Sequence, residues 1–415
     1  MIYLKKLPEK EKSPEKCCPS VKEGNRYINP WPSAVPKAKK FNYNLWNKRM
    51  YDYFTSSIVA REKNQNLKVD LDLPTITKYY EDINYNNNIK IQVTWLGHSA
   101  FLVQINSFTL LFDPFLSRRA SPINFIGPYR CRDRGFESFS ELPPVDFIVL
   151  SHNHYDHLDK ATIKEIFSVE KNKKTHIFCP LELKSWFLGL GIPENQVTEC
   201  DWWDEYEITK LPESFDISNE TQTQLNETLT SNNNTTTTTT TTTNNNNNKI
   251  NIIAVPAQHF SGRTGLDYNT TLWVGWVIKN PETSCYFVGD TGYRAIPDNC
   301  TEEEREKYPY CPIFKTIGEL YGPFDIATIP IGPVTPANRM SINHTSANDA
   351  VNIHIDCKSK HSIPMHWGTA ENLSIDSIES GPAELHEELK KKNIPLEEFQ
   401  EVFIGQVYKI EKHAS

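Results

Sequence analysis

The chain has 415 residues, a formal net charge of −8 and a hydrophobic fraction of 38%. That length can bury one large core or two smaller ones, while the low apolar fraction leaves part of the chain outside any core. The acidic balance argues against a nucleic-acid surface, so no nucleic-acid partner is expected. The nine cysteines are scattered without a CxxC pair, which indicates neither a disulfide framework nor a thiolate-held zinc module. The opening "MIYLKKLPEKEKSPEK" lacks the apolar run of a signal peptide, and no window reaches the length of a membrane span. A cytoplasmic protein, soluble or bound peripherally to membranes, is expected.

Residues 1–25 are charged and rich in proline and lysine, and read as a disordered tail. Residues 26–88 read as an N-terminal extension packing on the core, with one helix over "FNYNLWNKRMYDYFTS". The main domain then fills 89–415. "KIQVTWLG", "SAFLVQIN", "SFTLLFDPF" and "VDFIVLS" read as successive strands. "DKATIKEIFSVEKN" follows as a helix, "THIFCP" as a strand, and "LELKSWFLGLG" as a helix closed by Gly191. From about 212 to 249 the composition collapses into "SNNNTTTTTTTTTNNNNN", a disordered insertion with nothing to bury. Strands resume at "KINIIAVPA", "TLWVGWVIK", "TSCYFVGD", "FDIATIPIG" and "HSIPMH". Helices are expected at "SANDAVNIHIDC" and "GPAELHEELKKKN". Strands in two runs, interspersed with helices, define an α/β class.

The stretch "LSHNHYDHLD" places His152, His154 and His157 beside Asp156 and Asp159, directly after an apolar strand, in a chain with twelve histidines. Three further strands end in metal-competent side chains, at His259, Asp290 and His366. Strand ends hold ligands rigidly and leave them open to substrate. Imidazole and carboxylate without thiolate suit Zn²⁺, with Fe and Mn as alternatives. His152 and His154 are two apart, so on extended backbone they point the same way, whereas Asp156 and His157 lie past the turn. Two ions therefore fit better than one. His152, His154 and His259 can hold the first, Asp156, His157 and His366 the second, and Asp290 is left as the bridge. Two dications against two aspartates and a hydroxide leave a net positive site that attracts an anionic substrate.

With these residues in view, "HNHYDH" resembles the signature of the metallo-β-lactamase superfamily. "NPWPS", "VTWLGHSAFLV", "ASPINFIGPYR", "ELPPVDFIVLSHNHYDHLD", "CDWWDE", "GDTGY", "YGPFDIATIPIG" and "HWGT" narrow the resemblance. Together they resemble the N-acylphosphatidylethanolamine-hydrolysing phospholipase D family, over about residues 25 to 370. The resemblance implies an αβ/βα four-layer sandwich and two Zn²⁺ per chain, held by the seven residues above. It also implies a phospholipid substrate, N-acylphosphatidylethanolamine, taken from a membrane surface and cleaved to phosphatidic acid and an N-acylethanolamine. Family members can pair as homodimers. His344, in "SINHTSAND", falls where the family places a histidine near the substrate phosphate. Asp156 and His344 are thus the catalytic candidates, and His344 the substrate-binding one. Two stretches depart from the family pattern: "PVTPANRM" replaces a "YEPRWF"-like segment, and Arg294 to Lys315 is longer than usual.

The expected chemistry is attack on phosphorus by a hydroxide bridging the ions, with His344 stabilising charge on a phosphoryl oxygen. The alternative is a hydrolase of the same fold acting on a small anionic substrate such as a sugar-phosphate lactone. The aromatic "WW" and "NPW" segments favour the lipid. His98 reads as a packed or ligand-orienting residue. Asp159 reads equally as an orienting carboxylate or a helix cap, and Asp113 as a turn residue before an orienting one. Trp202, Trp203, Trp273 and Trp276 read as core before acyl groove.

Overall fold

A strand whose residues are apolar on both faces needs two cores, and this fold supplies them. The computed structural model describes residues 2–8, 17–34, 88–123, 125–211, 248–378 and 380–412. The first strands are β1 (Ile2–Lys6), β2 (Val21–Glu23), β3 (Arg26–Ile28), β4 (Ile89–Gly97), β5 (Ala100–Ile105) and β6 (Phe108–Phe112). Next come β7 (Tyr129–Arg130), β8 (Phe147–Val149), β9 (His176–Pro180), β10 (Val197–Cys200), β11 (Glu205–Lys210) and β12 (Lys249–Val255). The last are β13 (Gly275–Lys279), β14 (Ser284–Phe287), β15 (Ile326–Pro330), β16 (Ser362–Met365), β17 (Ala370–Glu371) and β18 (Val407–Glu411).

Fourteen of these strands form two seven-stranded sheets, β1-β11-β12-β13-β14-β15-β16 and β10-β9-β8-β6-β5-β4-β18. In the second sheet the strand period of two divides each strand between two cores. Phe101, Val103, Leu110, Phe112, Phe147 and Val149 face the core that includes the first sheet. Leu102, Leu111 and Ile148 face a second cluster with Ile163, Ile166 and Phe187, from helices Lys160–Ser168 and Lys184–Leu188. Helix Ala347–Asp356 packs on β15 and on helices Ile313–Leu320 and Ser380–Lys391. The layers are helix, sheet, sheet, helix, as the resemblance implies.

Strand direction collects the site. β13 runs antiparallel to both β12 and β14, and β14, β15 and β16 are mutually parallel. The C-terminal ends of β12, β14, β15 and β16 therefore share one edge, and the segments leading to His259, Asp290, His344 and His366 leave from it. Among the described residues no helix is long and apolar enough to cross a membrane.

The expected disorder of residues 1–25 is corrected where the structure describes that region. β1 pairs antiparallel with β11, from Ile2 opposite Lys210 to Lys6 opposite Tyr206. Its charged C-terminal end, Lys5 and Lys6, suits an edge strand, and Ile2 and Leu4 pack against the core. Val21 to Ile28 forms the hairpin β2–β3. From β3, Tyr27 meets Trp273 edge-on, and beyond the hairpin Trp31 stacks on Trp202. The predicted helix over 41–56 and the Thr/Asn tract lie outside the described residues. Thr209 pairs with Lys249 across β11 and β12, so the segment containing the tract joins two adjacent antiparallel strands. A long connection there costs little extra, because closure entropy grows only logarithmically with length. The predicted helix over "LELKSWFLGLG" is shorter, Lys184–Leu188, and β10, β11 and β18 add strands that periodicity did not single out.

Candidate metal centre

The tight turn after β8 presents "SHNHYDH" at the sheet edge. Its start is fixed by Asp113, just after β6, which accepts from Ser151 N at 2.7 Å and from Ser151 Oγ. Asp159 then caps the following helix, accepting from Ala161 N at 3.0 Å and Thr162 Oγ1 at 2.6 Å. It also accepts from Ser117 N at 2.8 Å. The cap is the role the structure gives Asp159.

The structure brings all seven sequence-predicted ligands together in two groups. His152 Nε2 lies 2.8 Å from His154 Nδ1, which lies 3.3 Å from His259 Nε2. These three nitrogens converge within 4.8 Å of one another. In the other group, Asp156 Oδ2 is 3.6 Å from His157 Nε2 and 3.4 Å from His366 Nε2. Between the groups sits Asp290. Its Oδ2 is 3.0 Å from His366 Nε2, 3.2 Å from His157 Nε2 and 3.7 Å from His259 Nε2.

Neighbouring groups set the tautomers. His259 Nδ1 faces the carbonyl of Asn343 at 2.8 Å, so it carries the proton and leaves Nε2 as a lone pair toward the centre. His157 Nδ1 faces Asp113 Oδ2 at 2.7 Å, which likewise frees Nε2. Asp113 is therefore more than the turn residue that sequence preferred: it is a fully buried carboxylate that orients a ligand imidazole. His98 is also buried, with Nε2 3.1 Å from Asp156 Oδ2, and so fixes that carboxylate. His98, Asp113 and His366 hold φ of 55°, 36° and 61°, a left-handed region that non-glycine residues rarely occupy outside constrained sites.

The electrostatics test whether cations fit. Burial keeps His152 well below the usual imidazole range and lowers His154 to about 4 and His259 to about 3, leaving neutral rings suited to ligation. Burial would raise Asp156 and Asp290, but the surrounding imidazoles outweigh it and hold both well below the carboxylate range. The same carboxylates outweigh burial at His366, pushing it up to about 9, and raise His157 well above its ordinary value. Two buried carboxylates thus demand positive charge at their centre. His157 Nε2 and His366 Nε2 both face Asp290 Oδ2, while Asp290 Oδ1 is buried without a hydrogen-bond partner. Ring nitrogens crowded on buried anions fit a cation in place of protons, and the all-nitrogen and oxygen donor set fits Zn²⁺ or a similar first-row ion.

His344 belongs to neither group of three, yet its ring nitrogen converges with His259 and Asp290 within 4.8 Å; Nδ1 is 3.8 Å from Asp290 Oδ2 and without a hydrogen-bond partner. It opens onto a cavity of about 470 Å³ lined by Ile296, Arg305, Val334, Ser341 and Asp349 among others. Much of its wall, from Ile296 to Arg305 and from Val334 to Ala337, comes from the two stretches that depart from the family pattern, and Ser341, Ser346, Asp349 and Glu384 complete it. The tryptophans do not line it: Trp202, Trp203, Trp273 and Trp276 are all buried core. His176, His354 and His386 are satisfied elsewhere, by Thr198, Ser362 and Glu401.

A family model described as "Beta-lactamase superfamily domain" matches residues 109–367. A Caenorhabditis elegans relative, "N-acyl-phosphatidylethanolamine-hydrolyzing phospholipase D 1", is 33% identical over 320 residues, covering 75% of this chain and 74% of that protein. A "metal-dependent hydrolase" of Methanopyrus kandleri is 26% identical over 309 residues, covering 74% of this chain and 95% of that one. Among solved structures, an isothiocyanate hydrolase from Delia radicum gut bacteria aligns with a TM-score of 0.50 at 12% identity. It covers 77% of this chain and 99% of its own, and bears on the fold alone. The chain belongs to the metallo-β-lactamase superfamily and, within it, to the family of the N-acylphosphatidylethanolamine-hydrolysing phospholipases D. It is accordingly a metal-dependent hydrolase of this fold.

Proposed function

We propose that the chain is a zinc-dependent phosphodiesterase that hydrolyses N-acylphosphatidylethanolamine to phosphatidic acid and an N-acylethanolamine. The convergence of seven buried ligand side chains on two adjacent sites carries this reading, with the relative's activity supporting the substrate. His152, His154 and His259 would hold one ion; Asp156, His157 and His366 the other; Asp290 would join them. Bound divalent ions supply an activated water near neutral pH and a counter-charge for phosphoryl oxygens.

The chain's own residues do the rest. Asp113 and the Asn343 carbonyl hold His157 and His259 in the ligating tautomer. His98 holds the Asp156 carboxylate beside the reacting centre. His344 is kept neutral, chiefly by burial. A neutral imidazole offers one N–H, and its unpartnered Nδ1 and place at the cavity edge suit it to a phosphoryl oxygen. The cavity beyond His344 is the natural room for the departing alcohol.

The deciding experiment pairs metal quantification with head-group release. Close to two zinc ions per chain and release of N-acylethanolamine from mixed micelles are expected. Efficient hydrolysis of a sugar-phosphate lactone, with none of the phospholipid, overturns the substrate in favour of the small-anion alternative.

A further inference from the structure

Next to the metal centre a short hairpin holds large apolar side chains in water. Its stem is closed by Ala120 N to Pro128 O at 3.0 Å and Arg130 N to Arg118 O at 2.8 Å. Arg119 Nη1 donates to Gly127 O at 2.7 Å, and Gly127 takes φ +98° where a Cβ would meet Ser121. The stem is therefore built, yet its tip exposes Ile123, Phe125 and Ile126 by 44, 70 and 45%. Three neighbouring exposed apolar side chains of this size on a closed turn mark a contact surface.

The charge around the tip is distinctive. Between residues 116 and 134 the sequence has five arginines (Arg118, Arg119, Arg130, Arg132, Arg134) against one acid, Asp133, in a chain of net charge −8. Arg134 pairs with Glu165. Arg119 bonds a carbonyl oxygen, Glu371 on the paired strand β17 accepts from the Tyr129 hydroxyl, and Arg118 is exposed. An apolar tip on a cationic base fits the interface of a bilayer that contains anionic lipid.

The hairpin is also fastened to the site. Arg130 donates to Phe115 O at 3.2 Å and to Leu96 O, two residues before His98. β7 pairs with β17, and Cys131 N donates at 2.9 Å to Thr369 O, three residues after His366.

We propose that Ile123, Phe125 and Ile126 insert into an anionic bilayer, with Arg118 and its neighbours at the head groups, and so set the metal centre against lipid. This rests on the reading that the substrate lies in a membrane, but its test needs no turnover. The probe is vesicle co-sedimentation, with phosphatidylcholine alone or with added phosphatidylserine. The combined variant Ile123→Ser, Phe125→Ser, Ile126→Ser should lose about tenfold or more in partitioning. Its metal content and hydrolysis of a short soluble diester should match the parent. Arg118→Gln should weaken binding about fivefold on phosphatidylserine vesicles only. Phe125→Trp should add emission that bromolipid quenches. Parent-like partitioning of the triple variant overturns the proposal, as does unquenched emission. Lost self-association with vesicle binding intact also overturns it, assigning the tip to a second copy of the chain. If the chain binds through the tip but releases no head group, the phospholipase reading falls and this one stands.

Discussion

Two regions converge on His259 by different routes. The turn after β8 announces itself: three histidines and two aspartates within eight residues have few other uses behind an apolar strand. The segment 17–34 carries no such mark, yet it too reaches the centre. Asn29 Nδ2 donates to His259 O at 2.8 Å, and Ser33 Oγ donates to Gln258 Oε1 at 2.6 Å. Gln258 Nε2 then donates to Ile342 O at 2.8 Å, beside the Asn343 carbonyl that sets the His259 tautomer. One region supplies ligands and the other supplies their support. Chemistry that resides in a residue type is visible in sequence, whereas chemistry that resides in a contact is not.

The comparison predicts graded damage. Asp290→Asn should be the most severe, because a neutral bridge cannot offset two dications. Metal and activity should disappear together, beyond the roughly 10–100-fold loss expected of supporting residues. Full metal occupancy in the purified variant, measured by elemental analysis, breaks the bridge assignment.

His344→Ala should lower turnover by about 10²–10⁴-fold while both ions stay bound, since its ring lies outside the two ligand groups. Steady-state kinetics and metal content on one sample decide it. Parent-like turnover removes His344 from the chemistry, and lost metal makes it a ligand.

Asp113→Ala should weaken metal affinity by about 10–100-fold, because His157 loses the partner that fixes its ring. Chelator competition reads this directly. Affinity equal to the parent's would return Asp113 to the turn role that "LLFDP" suggests.

That residue also shows where sequence reading stops. The fold class, the strand ends and the seven converging residues were legible because each rests on a local pattern: period-two burial, a cap, a ligand type after a strand. Asp113 was misweighted because its partners stand 38 and 44 residues away, and only the pairing of β6 with β8 brings them within reach. β1 was hidden in a lysine-rich tail, since an edge strand needs neither alternation nor apolar content to pair with β11. β18, "VYKIE", is half-exposed on the opposite sheet's edge for the same reason.

The smallest expected effects separate two functions within the N-terminal segment. Trp31 is 6% exposed and stacked on Trp202 at 5.4 Å between ring centroids, so Trp31→Ala should cost about 3 kcal/mol of stability. Asn29→Ala removes a single side chain to backbone hydrogen bond, worth about 1 kcal/mol. That loss falls on the carbonyl of a candidate ligand, 230 positions away in the chain. If the segment supports the centre, Asn29→Ala should weaken metal affinity several-fold with little change in melting temperature, and Trp31→Ala should show the opposite balance. Thermal unfolding and chelator competition on both variants read the two quantities separately. Equal, purely thermal losses would mean that the segment packs on the core and leaves the metal centre indifferent to it.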